Sequence, residues 1–131
     1  EKINDLDLSD CCYYLGPKTH RELSELYNQA DIMIFPTMLY ESLGLVGIEA
    51  MACGCPVIGS DIGCLPEYIK EGITGFLFEP GNSHELAERI VDFYKLTEKQ
   101  RNTMRLEAIR YVDKYESRKI SQALINKIKE I

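Results

Sequence analysis

The chain has 131 residues, enough for one domain or a large part of one. With 45% hydrophobic and 27% charged residues it carries the material for a core and does not read as disordered. A net charge of -6 argues against a general grip on nucleic acid, which needs a basic face, but leaves room for a small anion held by backbone N–H groups.

In chain order, Cys11-Cys12-Tyr13-Tyr14-Leu15 reads as a short strand stopped by Gly16-Pro17. Thr19 and Glu22 make a capping-box signature, and the helix they open carries Leu23, Leu26, Tyr27 and Ala30 on one face. Ile32-Met33-Ile34-Phe35 is a continuous apolar run ended by Pro36, as expected of a strand covered on both faces. Residues 37–42 form a loop, and residues 43–53 read as a buried helix with Gly54 as its stop. Pro56-Val57-Ile58-Gly59 is the next strand, with Pro tolerated at its first position. Residues 66–70 suit one helical turn ending near Gly72, and Phe76-Leu77-Phe78 is a last short strand. Asn82 to Glu85 cap a helix whose apolar residues are Leu86, Ile90, Val91 and Tyr94. Thr97 and Gln100 make another capping box, and the remainder to Ile131 is expected to be helical with a break near Ser117.

Four strand–helix alternations predict an α/β fold with a parallel sheet flanked by helices. Right-handed crossovers put every strand C-terminus on one edge, where ligands of such sheets bind. The loops on that edge are residues 16–18, 36–44, 59–66 and 79–82. No apolar run approaches the ~20 residues that span a bilayer, and no signal peptide opens the chain, so the expected location is cytoplasmic. The start at Glu1-Lys2-Ile3-Asn4, without Met, is what an excised piece of a longer protein would show.

The cysteines Cys11, Cys12, Cys53, Cys55 and Cys64 are odd in number and are expected to be free thiols. Cys53-x-Cys55 with Cys64 nearby is a weak zinc signal. A closed site needs four ligands, no second pair follows, and His20 and His84 sit far away in polar segments. Small apolar core residues are the better reading.

The stretch from Tyr40 to Ile58 carries the most chemistry. Glu41 falls in a loop leaving a strand, Gly44 where a helix begins, and Glu49 more than one turn inside that helix. The free N–H groups of the first turn, at Gly44, Leu45 and Val46, together with the helix dipole favour a diphosphate. A carboxylate accepts hydrogen bonds from two neighbouring hydroxyls, as on a ribose or sugar ring. Taken singly, each Glu is more often a solvated surface residue, and E-x7-E arises readily by chance.

The surrounding string changes those odds. Phe35-Pro36-Thr37, Glu41-Ser42-Leu43-Gly44-Leu45-Val46 and Glu49-Ala50-Met51-Ala52-Cys53-Gly54-Cys55-Pro56-Val57-Ile58 follow one another in order. Ser60-Asp61-Ile62-Gly63-Cys64-Leu65-Pro66-Glu67 and Gly72-Ile73-Thr74-Gly75-Phe76-Leu77-Phe78-Glu79-Pro80-Gly81-Asn82 continue the series. Together they resemble the retaining glycosyltransferases built from two Rossmann-like domains, the GT-B architecture of the family 4 type. The likeness runs from about Tyr13 to Leu86.

That resemblance implies a Rossmann-like, partial C-terminal domain over residues 1–131 with a helical C-terminal tail. It implies that Glu41 meets donor-sugar hydroxyls near the reacting carbon and that Glu49 holds the ribose. It implies further that backbone N–H groups from Ser42 through Leu43, Gly44 and Leu45 to Val46 bind the donor diphosphate, and that Gly16, Pro17 and Lys18 line the base. The implied reaction moves a sugar from a nucleotide to an acceptor hydroxyl on a carbohydrate, lipid or other molecule, with retention of configuration. No metal or other cofactor is expected, since helix terminus and basic side chains stabilise the leaving diphosphate. The family's basic pair and acceptor-binding domain belong upstream of these motifs, so this chain by itself is expected to be inactive. The rest of such a protein leaves room for peripheral contact with the inner face of a membrane. One departure is Cys64, where the family has Gly; its Cβ is expected to restrict the backbone and shift the loop. The alternative class is a non-catalytic nucleotide-sugar-binding module or partner subunit. A sugar-nucleotide epimerase is a third reading, and a nicotinamide oxidoreductase lacks its G-x-G-x-x-G.

Overall fold

The computed structural model describes residues 2–116 and 119. The elements in order are α1 (Lys2–Asp5), α2 (His20–Gln29), β1 (Met33–Phe35), α3 (Leu45–Ala52) and β2 (Val57–Ser60). They continue with α4 (Leu65–Tyr68), β3 (Gly75–Phe78), α5 (Ser83–Lys95), α6 (Glu98–Val112) and a 3-10 turn, Asp113–Tyr115. Three strands form one parallel sheet in the order β1-β2-β3, with Met33 opposite Val57 and Val57 opposite Gly75. The expected break near Ser117 and the tail beyond it lie outside the described residues.

Alternation along the strands splits the core in two. Met33, Phe35, Val57 and Leu77 face one side, where Ile48, Met51, Leu65, Tyr68, Ala108 and Val112 pack. Ile34, Ile58, Phe76 and Phe78 face the other, against Leu86, Ile90, Phe93 and Met104. Helices therefore cover both faces, and α6 reaches from one core to the other through Met104 and Ala108. β2 is buried throughout, as a central parallel strand should be.

The capping signals match the structure. Thr19 Oγ1 accepts from Glu22 N–H while Glu22 accepts from Thr19 N–H, and Thr97 with Gln100 repeats the arrangement. Asn82 Oδ1 accepts from Glu85 N–H at the start of α5.

One expectation needs correction. Residues 11–15 form no strand: they are exposed, and none pairs with the sheet. A strand needs a neighbour to satisfy its N–H and C=O groups, and β1 does not take this segment as one. β1 is half-buried, with Met33 and Phe35 packed on one core and Ile34, with Ile32 just before the strand, on the other, so it is covered on both faces as expected. On α5 the buried stripe is Leu86, Ile90 and Phe93 at helical spacing, and Val91 and Tyr94 face solvent.

The other edge is closed by side chains. Glu71 accepts the Leu77 N–H at 2.9 Å, Arg89 Nε donates to the Leu77 C=O at 2.9 Å, and Glu85 accepts the Glu79 N–H at 2.7 Å. Arg89 also pairs with Glu85 and Glu71. The ladder groups that would recruit another strand are thus occupied.

Two substitutions probe this core. A Cβ at Gly75 would run into the Val57 backbone, so Gly75→Ala should lower stability by about 3 kcal/mol or more, at the upper end of overpacking costs. Ser60 Oγ is fully buried with no hydrogen-bond partner, so Ser60→Ala should be neutral or stabilise by up to ~1 kcal/mol. Urea unfolding of both variants decides, and a destabilised Ser60→Ala would show that the hydroxyl has a partner.

Candidate functional site

The site is built where α3 begins. Gly44 takes a left-handed conformation (φ 59°, ψ 49°), so α3 starts at Leu45 rather than at residue 43. No side chain caps this end, and Leu43, Leu45 and Val46 are exposed around it. Gly47 N–H donates to the Gly44 carbonyl at 2.9 Å, while the N–H groups of Leu45 and Val46 have no acceptor among the described residues and belong to exposed residues. Gly54, also left-handed, ends the helix as expected.

The loop before α3 is held from a distance. Leu39 N–H donates to Thr37 Oγ1 at 3.1 Å, while Met38, Leu39 and Tyr40 stay exposed. The Glu41 carbonyl accepts from Cys64 N–H at 3.1 Å. Gly63 lies against the Glu41 backbone so closely that a Cβ on it would sit 2.5 Å from that carbonyl oxygen. Gly63 is also left-handed, at φ 62°, whereas Cys64 is ordinary right-handed backbone at φ -84°. The expected disturbance from Cys64 is therefore absent, because the glycine this loop needs is Gly63.

Glu41 and Glu49 share a property that spacing does not reveal. The other half-buried carboxylates among the described residues, Glu85, Asp92 and Glu107, each form an ion pair. Glu41 and Glu49 are half-buried and their carboxylates make neither a hydrogen bond nor an ion pair with any described residue. With no protein partner, both carboxylates are available to an incoming hydrogen-bond donor.

Glu49 faces α2. It lines a cleft of 270 Å³ with His20, Leu23, Ser24, Tyr27 and Cys53, and another of 370 Å³ with Ile109, Val112 and Tyr115. Its charge adds to burial in raising the Tyr27 phenol above its ordinary range, burial being the larger cause. Residues 16–18 lead into α2, with Gly16 left-handed and Lys18 half-buried. Neither cleft reaches them or Glu41. A groove of 660 Å³ along His84, Glu88 and Lys95 is walled by Asn82 and residues of α5 and contains neither Glu41 nor Glu49.

Sequence reasoning missed Tyr68, which is fully buried and donates from its hydroxyl to the Gly44 carbonyl at 3.2 Å. The signal was present in Gly44 and Gly47. Two glycines three apart on one helical face leave room for something bulky, and Tyr68 fills it.

The model of the family Glycosyl transferases group 1 matches residues 1–110. The chain belongs to that family. It is 37% identical over 100 residues to N-acetyl-alpha-D-glucosaminyl L-malate synthase of Bacillus anthracis, covering 76% of this chain and 26% of that one. In structure it resembles Anabaena HepE in complex with UDP, at a TM-score of 0.89 and 27% identity, covering 99% of this chain and 35% of HepE. It also resembles the C-terminal domain of a glycosyl transferase group 1 family protein from Francisella tularensis, at a TM-score of 0.72 and 26% identity, covering 88% of this chain and 60% of that one. The fold is that of GT-B glycosyltransferases, and the chain spans about a quarter to a third of the longer relatives.

Among the described residues no three His, Cys, Asp or Glu side chains gather as a metal site, and no helix is long and apolar enough to cross a membrane. All five cysteines are unpaired. Burial pushes the Cys55 thiol up to about 11, and Cys64 is raised by burial as well. Since the thiolate is the reactive form, a thiol reagent at neutral pH should label the exposed Cys11 and Cys12 first and Cys55 only on unfolding. Mass spectrometry of labelled peptides checks the order. Early labelling of Cys55 would contradict its burial.

Proposed function

We propose that this chain is the donor-binding part of a glycosyltransferase that moves a sugar from a nucleoside-diphospho-sugar to an acceptor hydroxyl with retention of configuration. The observation that carries the reading is the pair of half-buried carboxylates without partners, Glu41 and Glu49, on either side of an uncapped helix start. Family membership and the UDP complex of HepE support it.

In this reading the diphosphate lies against the N–H groups of residues 42–46, where the dipole of α3 and the unfilled donors favour negative charge. These donors are fixed before the reaction, so they stabilise the charge that develops as the sugar–phosphate bond breaks. Glu41 accepts from sugar hydroxyls and so orients the reacting ring. Glu49 accepts from the ribose hydroxyls in the cleft beside α2, and residues 16–18 border the base. No metal takes part. The acceptor binds a part of the protein outside this chain.

Titration with UDP, GDP and ADP, followed through amide resonances, tests the site. Residues 42–46 should shift with the nucleoside diphosphate whose base fits, and a response confined elsewhere would refute the assignment. The two carboxylates separate in kinetics of the whole enzyme. Glu41→Gln should mainly lower kcat, because losing about 2–3 kcal/mol of transition-state hydrogen bonding slows a reaction on the order of 30- to 150-fold. Glu49→Gln should mainly raise KM, because the ribose is held equally in ground and transition states. Equal effects on KM alone would remove Glu41 from the reacting centre.

A further inference from the structure

Tyr68 stands outside every motif that suggested the donor site, yet it touches that site's foundation. Its hydroxyl donates to the Gly44 carbonyl, which also accepts the Gly47 N–H at 2.9 Å. Cβ atoms on Gly44 and Gly47 would sit 2.7 and 2.5 Å from Tyr68 Oη, so both glycines are needed for the hydroxyl to reach that carbonyl. Tyr68 is itself anchored. Its own carbonyl accepts from the buried Thr74 Oγ1 at 2.9 Å, and Thr74 Oγ1 accepts from Lys70 N–H at 2.8 Å. The neighbouring Glu67 carbonyl accepts from the Tyr111 hydroxyl of α6 at 3.2 Å.

One peptide unit links this anchor to the ligand side. The Gly44 carbonyl and the Leu45 N–H belong to the same planar trans peptide and point in opposite directions. A hydrogen bond that holds the carbonyl toward the core therefore aims the Leu45 N–H away from it. Gly44 is left-handed, has no Cβ and has no capping side chain, so without Tyr68 this peptide plane rotates more freely.

We infer that Tyr68 is a positioning residue for the donor diphosphate, acting through the Gly44 carbonyl to fix the direction of the Leu45 N–H. This inference rests on the reading of the α3 start as the diphosphate site. Tyr68 touches no substrate, and its role is to keep a backbone donor oriented before ligand arrives.

Tyr68→Phe keeps the ring and removes the donor. The 131-residue chain and this variant, each shown to be folded by circular dichroism, are titrated with UDP and separately with uridine, with amide resonances as the readout. The expected result is UDP affinity lower by about fivefold in the variant, the value of one ordinary hydrogen bond, with uridine affinity unchanged. Gly47→Ala, which forces the hydroxyl off the carbonyl, should weaken UDP in the same way and serves if Tyr68→Phe does not fold. Unchanged UDP affinity in both variants overturns the inference and leaves the donor site standing. Equal losses for UDP and uridine also overturn it, since they mark a loosened domain. If the unsubstituted chain shows no UDP response at Leu45 and Val46, the donor-site reading fails and takes this inference with it.

Discussion

The close approach of Tyr68 to the start of α3 is the contact on which the rest of the site depends. A buried phenol must place its hydroxyl on an acceptor or lose a hydrogen bond in a dry core. The acceptor is the Gly44 carbonyl, and reaching it requires that neither Gly44 nor Gly47 carry a side chain. Burial pushes the Tyr68 phenol well above its ordinary range, so it remains a neutral donor at any physiological pH. The same short segment supplies Cys64 N–H to Glu41 and places Gly63 against the Glu41 backbone. A stretch of six residues, 63–68, thus holds both the carboxylate loop and the helix start.

The two edges of the sheet are treated differently. At β3, Glu71, Glu85 and Arg89 occupy the outward N–H and C=O groups, which discourages pairing with another strand. At β1 the strand is short and only half-buried, and the extended residues before α2 do not pair with it. Relatives several times longer share this fold, and most of this chain aligns with them.

Much of this was legible in the sequence, for local reasons. Capping boxes at Thr19 and Thr97, the Asn82 cap, the helix stop at Gly54 and the strand stop at Pro36 depend on neighbouring residues, so pattern alone places those ends. The strands read at residues 56–59 and 76–78 likewise form, with observed bounds Val57–Ser60 and Gly75–Phe78. The segment 11–15 has strand composition but no neighbour, and pairing is a non-local fact that composition does not carry. On α5, Val91 and Tyr94 are apolar but exposed, whereas the helical period puts Leu86, Ile90 and Phe93 on the core. At the site, residue types and order pointed to Glu41, Gly44 and Glu49. What the sequence hid was which carboxylates lack partners, since that depends on every other charge nearby.

That last point ties stability to function. In a chain of net charge -6, a half-buried carboxylate without a cation is disfavoured both by desolvation and by its neighbours' charge. Glu85 meets that cost with Arg89, and Glu22 avoids it by capping a helix while remaining exposed. Glu41 and Glu49 do neither. In the proposed donor site their lone pairs would meet hydroxyl donors, which a polyol supplies without adding charge, and the diphosphate's negative charge would fall on backbone N–H groups. That proposal would assign sugar and ribose to side chains and phosphate to the backbone. On that proposal an acidic domain would accommodate an acidic ligand, with the anion met by peptide dipoles beside the buried Tyr68 and the carboxylates meeting only neutral hydroxyls.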